Sequence, residues 1–123
     1  MKIRTHDVAQ KAYALVDARF NFDKKKEYGS LAHKLPVLIL QNGLAQATGF
    51  LIAKGEVHHI ALLDDLAKLL DNMSGEKLHE NVIAADLSQT MLLTRSSLEA
   101  AGWIKRYVQG VLKVDATGEE EKE

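Results

Sequence analysis

The sequence predicts an all-α protein, a compact bundle of about five to six helices in a single domain. Its 123 residues, 46% hydrophobic and 27% charged, suffice for one buried core but not for two. Along most of the chain, apolar residues recur at spacings of three and four, which is the period of an α-helix with one buried side. We expect the domain to span residues 1–114 and residues 115–123 to form an acidic, disordered tail.

The first two helices follow from their apolar sides. The first side consists of Val8, Ala9, Ala12, Leu15, Val16 and Phe20. The pattern then breaks, and Asp23 is placed to cap a second helix whose apolar side is Tyr28, Leu31 and Leu35. Pro36 should end that helix and begin the third, because proline cannot continue a helix but suits a first turn.

The stretch from Val37 to Ala53 contains no charged residue and allows three interpretations. A membrane span needs about 20 predominantly apolar residues, and this stretch is shorter and carries polar side chains. A β-hairpin could turn at Asn42-Gly43, but the residues after that turn are good helix formers. We therefore predict a nearly all-round buried helix from Pro36 to about Lys54.

Helical spacing returns after Gly55. The fourth apolar side is Val57, Ile60, Ala61, Leu63, Leu66, Ala67, Leu70 and Met73, with Asp64, Asp65 and Lys68 outside it. Ser74-Gly75 should form a turn before a short fifth helix, and Ser88 can cap the next segment. The last apolar stripe is Ala100, Trp103, Ile104, Tyr107 and Val111. Thr94 either caps a separate last helix or lies inside a long one.

Composition excludes several classes of function. The chain has no cysteine, so it can form neither a disulfide nor a thiolate site, which suits a reducing cytoplasm. The first residues lack the apolar run of a signal peptide. We expect a cytoplasmic protein that does not enter a membrane. Because the net charge is −1, any nucleic acid must be bound by a local basic surface.

Two Glu-x-x-His motifs, Glu56–His59 and Glu76–His79, are the most chemical-looking features. Paired motifs of this kind hold di-iron centres in four-helix bundles, where two further glutamates complete the site. Here Gly55 and Gly75 place each motif at a helix end, and no second glutamate pair is evident. We therefore expect no metal, no cofactor and no enzymatic activity.

Basic residues indicate two candidate binding surfaces. Lys24, Lys25 and Lys26 lie at a predicted helix start, where positive charge opposes the helix dipole and a bound phosphate would compensate. On the last helix Arg95 and Arg106 fall within about 20° of one direction, and Lys105 widens this basic side. A solvated basic surface without a ligand is the alternative interpretation.

Several segments, in this order and spacing, resemble one known family. They are Arg4 with Ala9, Tyr28, the Pro36–Lys54 stretch with Asn42-Gly43-Leu44, Leu93-Thr94-Arg95, and Trp103-Ile104-Lys105-Arg106-Tyr107. Together they resemble the small subunit, subunit five, of the Cmr complex, a type III-B CRISPR effector. The resemblance covers roughly residues 2 to 113.

The resemblance implies an all-helical, noncatalytic subunit that stacks with copies of itself in a minor filament. Its partners would be the guide-RNA-binding backbone subunit, the large subunit, and the target RNA paired with guide RNA. From the family pattern the expected RNA contacts are Arg4, Lys54, Lys105 and Arg106, and from charge placement we add Lys24, Lys25, Lys26 and Arg95. Two other functions stay open: a helical protein-interaction adaptor and a metal-binding bundle enzyme.

Overall fold

The computed structural model describes residues 4–119, with side chains described from residue 6 onward. It contains six α-helices: α1 Arg4–Asp17, α2 Lys25–Asn42, α3 Leu44–Lys54, α4 Val57–Asp71, α5 Gly75–Ala84 and α6 Leu87–Tyr107. A π-helical turn, Val108–Leu112, follows α6. This part of the chain has no β-strand, so the all-α prediction is confirmed.

Helices α4 and α6 form the centre of the bundle. Helix α6 packs against α1, α2 and α4, and α4 also packs against α2, α3 and α5. On α4, the side chains of Leu62, Leu63 and Leu66 are almost completely buried. All the helices therefore share one hydrophobic core, as the length of the chain predicts.

The uncharged stretch differs from the prediction. Helix α2 continues through Pro36 to Asn42, and the break falls at Gly43. Leu35 and Ile39 are each only 1% exposed, so burial on both sides of Pro36 holds the helical course that proline alone disfavours. Gly43 ends α2 because its φ of 85° is accessible to glycine at little cost.

Consequently the single helix predicted from Pro36 to Lys54 is wrong, and Asn42-Gly43 is a turn between two helices. The stretch is also not buried all round, since Leu40 is 68% exposed. None of the helices in residues 4–119 combines the length and apolar character that a membrane crossing requires.

Two predicted helix caps are replaced by neighbouring residues. Lys24, not Asp23, occupies the position before α2, and no side chain caps that helix. Asp86, not Ser88, caps α6, in a reciprocal arrangement with Gln89. Helix α6 then runs unbroken past Thr94, so the open question about this residue is answered by one long helix.

The segment after the π-helical turn returns to α2. Lys113 adopts a left-handed conformation with φ of 59°, which redirects the chain, and Val114 is fully buried. The backbone oxygen of Val114 lies 2.9 Å from His33 Nε2, and the Ser30 hydroxyl donates to the oxygen of Ala116 at 3.0 Å. Residues 115–119 therefore contact α2, whereas the rest of the predicted tail, residues 120–123, lies outside the described residues.

Gly29 in α2 makes the close approach of Val114 possible. A Cβ atom at position 29 would lie 2.5 Å from Val114 Cγ1, nearer than real Cβ contacts. In α6, Gly102 provides a matched comparison, because a Cβ there would meet nothing within 4 Å.

We predict that Gly29→Ala lowers the free energy of unfolding by about 1–3 kcal/mol through overpacking. Gly102→Ala should raise it by up to about 1 kcal/mol, since alanine is the better helix former and has room. Urea denaturation followed by circular dichroism measures both. If both variants changed the free energy of unfolding in the same direction and by the same amount, the packing role of Gly29 would be contradicted.

Candidate nucleic-acid interface

The turn between α1 and α2 presents the lysine cluster, defined as Lys24, Lys25 and Lys26. Lys24 Nζ lies 3.7 Å from the Glu27 carboxylate, and Lys25 Nζ lies 4.7 Å from the centre of the Phe20 ring. Lys26 lines a shallow cleft between α2 and the C-terminal segment. The three ammonium groups thus lie beside a helix start that no side chain caps, where donors and dipole both favour an anion.

A buried ionic network fixes both ends of this turn. Asp65 on α4 is 1% exposed and accepts two hydrogen bonds from Arg19, at 2.9 Å from Nη2 and 3.1 Å from Nε. The Tyr28 hydroxyl donates a third, at 2.6 Å. Arg19 closely follows α1, and Tyr28 lies in the first turn of α2. The lysine cluster therefore lies between two residues that are anchored to one carboxylate.

Asp65 lies on the buried side of α4, so its predicted place outside the apolar side of that helix is wrong. Asp65 follows Leu62 by three residues and precedes Leu66 and Leu69, all of which are buried. This spacing puts the carboxylate on the buried stripe. A charge at such a position requires an ionic or hydrogen-bonding partner. The spacing of Asp65 among buried leucines was therefore the sequence signal that could have predicted the network.

Burial and the network change two pKa values. Desolvation raises the pKa of Tyr28 well above its usual value, and the negative charge and hydrogen bond of Asp65 raise it further. The hydrogen bond with Asp65 raises the pKa of Arg19. At neutral pH, Tyr28 is therefore a neutral donor and Arg19 a cationic donor to the same carboxylate.

The second basic surface is the last turn of α6. Arg106 is exposed, with its guanidinium carbon 5.9 Å from the centre of the Trp103 ring, and Lys105 is half-buried beside it. Arg95 is also exposed, eleven residues earlier on the same helix. At about 1.5 Å per residue this separates Arg95 from Arg106 by about 16 Å along one side of α6.

The aromatic residues next to this surface belong largely to the fold. Trp103 and Tyr107 are both half-buried and stack with ring centres 5.7 Å apart. Tyr107 also meets the edge of Tyr13 on α1, at 5.5 Å. These contacts join α6 to α1 and hold the helix end that carries Lys105 and Arg106.

The remaining predicted residues lie elsewhere. Lys54 is in the last turn of α3, with Nζ 5.8 Å from the centre of the Phe50 ring. The described contacts do not join Lys54 to the lysine cluster or to the end of α6. Arg4 begins α1, but its side chain is outside the part of the chain whose side chains are described.

The two Glu-x-x-His motifs have different surroundings. Glu56 lies close to both His58 and His59, and one ligand atom from each of these three residues falls within 4.8 Å of the other two. His79 instead forms a 2.7 Å hydrogen bond between its Nδ1 and the Thr48 hydroxyl. In residues 4–119 the motifs do not combine into one ligand set, which a bundle enzyme would need.

The environment of His59 favours its neutral form. Desolvation lowers the pKa of His59, and the nearby His58 and Lys54 lower it further, while Glu56 acts in the opposite direction. A neutral imidazole has one nitrogen with a free lone pair, so His59 can accept a hydrogen bond or bind a cation at neutral pH.

Comparison with known proteins identifies the family. The family described as CRISPR-associated protein Cas_Cmr5 has a sequence model that matches residues 4–111. The chain belongs to this family. The resemblance seen in the sequence is therefore confirmed over nearly the whole domain.

Individual relatives agree with the family match. A protein of Thermus thermophilus, named CRISPR system Cmr subunit Cmr5, is 40% identical over 113 residues, covering 92% of this chain and 99% of the relative. The crystal structure of a CRISPR-associated Cmr5 family protein from the same organism superimposes with a TM-score of 0.87, covering 91% of this chain and 99% of that one at 40% identity. The fold described above is thus shared by this relative.

The buried network generates a prediction about stability. Tyr28→Phe should lower the free energy of unfolding by about 1–3 kcal/mol, because the buried Asp65 carboxylate loses a donor. Tyr13→Phe is the matched control, since Tyr13 is 50% exposed and the same hydroxyl is removed. Chemical denaturation at pH 7 compares the two. If the two variants lost similar, small amounts of unfolding free energy, the Tyr28 hydroxyl would be dispensable for stability.

The raised pKa of Tyr28 also predicts a pH dependence. Below about pH 10 both the folded and the unfolded chain keep the phenolic proton, so the contribution of Tyr28 is complete. Above that pH the unfolded chain releases the proton first, and stability falls by up to about 1.4 kcal/mol per pH unit. The advantage of the wild type over Tyr28→Phe should therefore shrink between about pH 10 and pH 11. Unfolding curves of both proteins over this range measure it, and a constant difference would refute the shift.

Proposed function

We propose that this chain is the noncatalytic small subunit of a type III-B CRISPR effector, the Cmr complex, and that it contacts target RNA in antiviral defence. The observation that carries the proposal is membership of the Cas_Cmr5 family across residues 4–111, with a 40% identical relative named as a Cmr subunit. The proposed partners are the guide-RNA-binding backbone subunit, the large subunit and further copies of this chain in a minor filament. A cytoplasmic location accords with such a role.

The proposed RNA contact is electrostatic. The net charge of the chain is −1, so phosphate must be bound by local basic surfaces. These are the lysine cluster and the basic end of α6. Ammonium and guanidinium groups neutralise backbone phosphates without reading bases, which gives affinity that tolerates sequence and falls steeply with salt. The Arg19–Asp65–Tyr28 network supports this role because it fixes the turn that carries three of the cations.

The noncatalytic role is supported by what the buried polar side chains contact. Asp65 is engaged by Arg19 and Tyr28, and His33 is within hydrogen-bonding distance of the backbone oxygen of Val114. These groups hold segments of the bundle together, which leaves the exposed surface to perform the work of the protein. Asp65 and His33 therefore serve the fold, and the proposed function rests on binding by the exposed surface.

Contacts with protein partners are supported by exposed apolar residues around the junction of α5 and α6. Ile83, Leu87 and Met91 are 64%, 77% and 59% exposed, respectively. Leu87 and Met91 are one helical turn apart on α6, so their side chains share one side. Exposed apolar side chains that occur together are typical of a surface that another protein covers.

The test is target-RNA retention by a reconstituted effector complex. Omitting this subunit, or replacing it with the triple variant Lys24→Gln/Lys25→Gln/Lys26→Gln, should weaken binding of labelled target RNA. Each single-strand phosphate that the variant no longer neutralises should reduce the slope of log affinity against log salt by about 0.7, or by about 2 in total.

A charge-matched control separates the proposed site from general electrostatics. Lys11→Gln/Lys68→Gln/Lys77→Gln removes the same charge from exposed positions outside both basic surfaces. It should leave RNA retention nearly unchanged. The proposal fails if the complex holds RNA equally well with and without the subunit, and a pure protein adaptor would support assembly with no change in salt slope.

A further inference from the structure

The start of α4 gathers three metal-ligating side chains that the proposed function does not use. Glu56 Oε2 lies 3.6 Å from His58 Nε2 and 3.7 Å from His59 Nδ1. Ligands of a tetrahedral Zn²⁺ ion, each about 2.0–2.1 Å from the metal, are about 3.3 Å apart. The distances from the carboxylate to the two imidazoles therefore exceed the bound geometry by only a few tenths of an ångström.

The buried imidazole nitrogens supply an independent observation. His59 is only 8% exposed, and its Nδ1, the atom that faces Glu56, is buried without a hydrogen-bond partner. The Nδ1 of His58 is also buried and without a partner, but the nitrogen of His58 that faces Glu56 is Nε2. An unsatisfied buried nitrogen is costly, and it calls for a ligand that the protein itself does not provide. A metal ion bound at His59 Nδ1 would satisfy that atom.

Neighbouring contacts prepare the three side chains for this role. The edge of the Phe50 ring meets the His59 ring at a centre-to-centre distance of 6.0 Å, which limits rotation of the imidazole. Glu56 precedes the first turn of α4, but its side chain makes no capping hydrogen bond. Its carboxylate, 68% exposed, is therefore accessible to a cation and open to water as a further ligand.

From these observations we propose that Glu56, His58 and His59 bind one transition-metal ion, of which Zn²⁺ is the best match. Two imidazoles and a carboxylate form a donor set that suits zinc and related divalent ions, with water completing four-coordination. The site lies at a helix end and draws on one motif, so it differs from the two-motif core centre that the sequence argues against. It does not depend on the proposed RNA function.

Two nearby positive charges oppose a cation here and identify the key ligand. The N-terminus of α4 carries a partial positive charge. Lys54 lies close enough to act on His59 and holds its ammonium group over Phe50. Glu56 is the negatively charged member of the cluster, so its carboxylate must offset both effects. Loss of this charge should therefore weaken the site strongly.

The second Glu-x-x-His motif provides a control within the same chain. Glu76 and His79 repeat the spacing of Glu56 and His59, but position 78 is leucine, which cannot ligate a metal. The Nδ1 of His79 is already bonded to the Thr48 hydroxyl. The proposal therefore assigns metal binding to the first motif and not to the second.

The experiment titrates the metal-free full-length chain with Zn²⁺ by calorimetry and with Co²⁺ by visible absorption. The wild type should bind one ion per chain. Glu56→Gln and His59→Gln should each lower the affinity for Zn²⁺ by about tenfold or more. Glu76→Gln and His79→Gln should bind as the wild type does.

Because Glu56 is exposed, Glu56→Gln is expected to fold normally, and its circular dichroism spectrum verifies this even if the buried His59 variant is unstable. Absence of stoichiometric Zn²⁺ binding by the wild type would overturn the proposal. So would undiminished binding by folded Glu56→Gln, or loss of binding in His79→Gln, because either result would place the ion elsewhere.

Discussion

Burying the Asp65 carboxylate imposes a condition that organises the rest of the bundle. A carboxylate at 1% exposure is tolerated only when donors replace the water it has lost, and here Arg19 and Tyr28 provide them. These donors are 46 and 37 residues away in sequence, so satisfying one charge brings α1, α2 and α4 together. The lysine cluster lies between the donors, and its placement therefore depends on the same pairing.

The helices could largely be predicted from periodicity, because each packs one side against a shared core. Their ends could not, since competing signals lie within a few residues. Asp86 and Ser88 offer similar oxygen acceptors, and the backbone geometry selects Asp86. Pro36 shows the opposite failure: local preference predicts a helix end, but burial of Leu35 and Ile39 carries the helix onward to Gly43. Tertiary packing outweighs local preference there.

Charge placement in the sequence selected the lysine cluster and Arg95 as candidate RNA-binding residues, whereas the family resemblance supplied the others. The pairing of Asp65 with Arg19 and Tyr28, which positions the lysine cluster, was not visible from charge. The Arg19–Asp65 pair joins distant segments, and Asp65 looks like an ordinary surface acid until the side of α4 that it occupies is known. The two Glu-x-x-His motifs also look alike in the sequence, because their tertiary contacts are not visible there. Only the fold shows that Thr48 engages His79 while His59 keeps a buried nitrogen without a partner.

The docking of Val114 beside Gly29 shows that the family match and the hydrophobic core end at different residues. The match to the family model ends at residue 111, yet Leu112 and Val114 are both buried in the core. A chain cut at residue 111 would leave a cavity in the bundle and remove the hydrogen bonds that Ser30 and His33 make with the C-terminal segment. The last residue of the family match is therefore not the last residue of the hydrophobic core. The sizes of the side chains at positions 29 and 114 are also coupled, since a larger residue at one site leaves less room at the other.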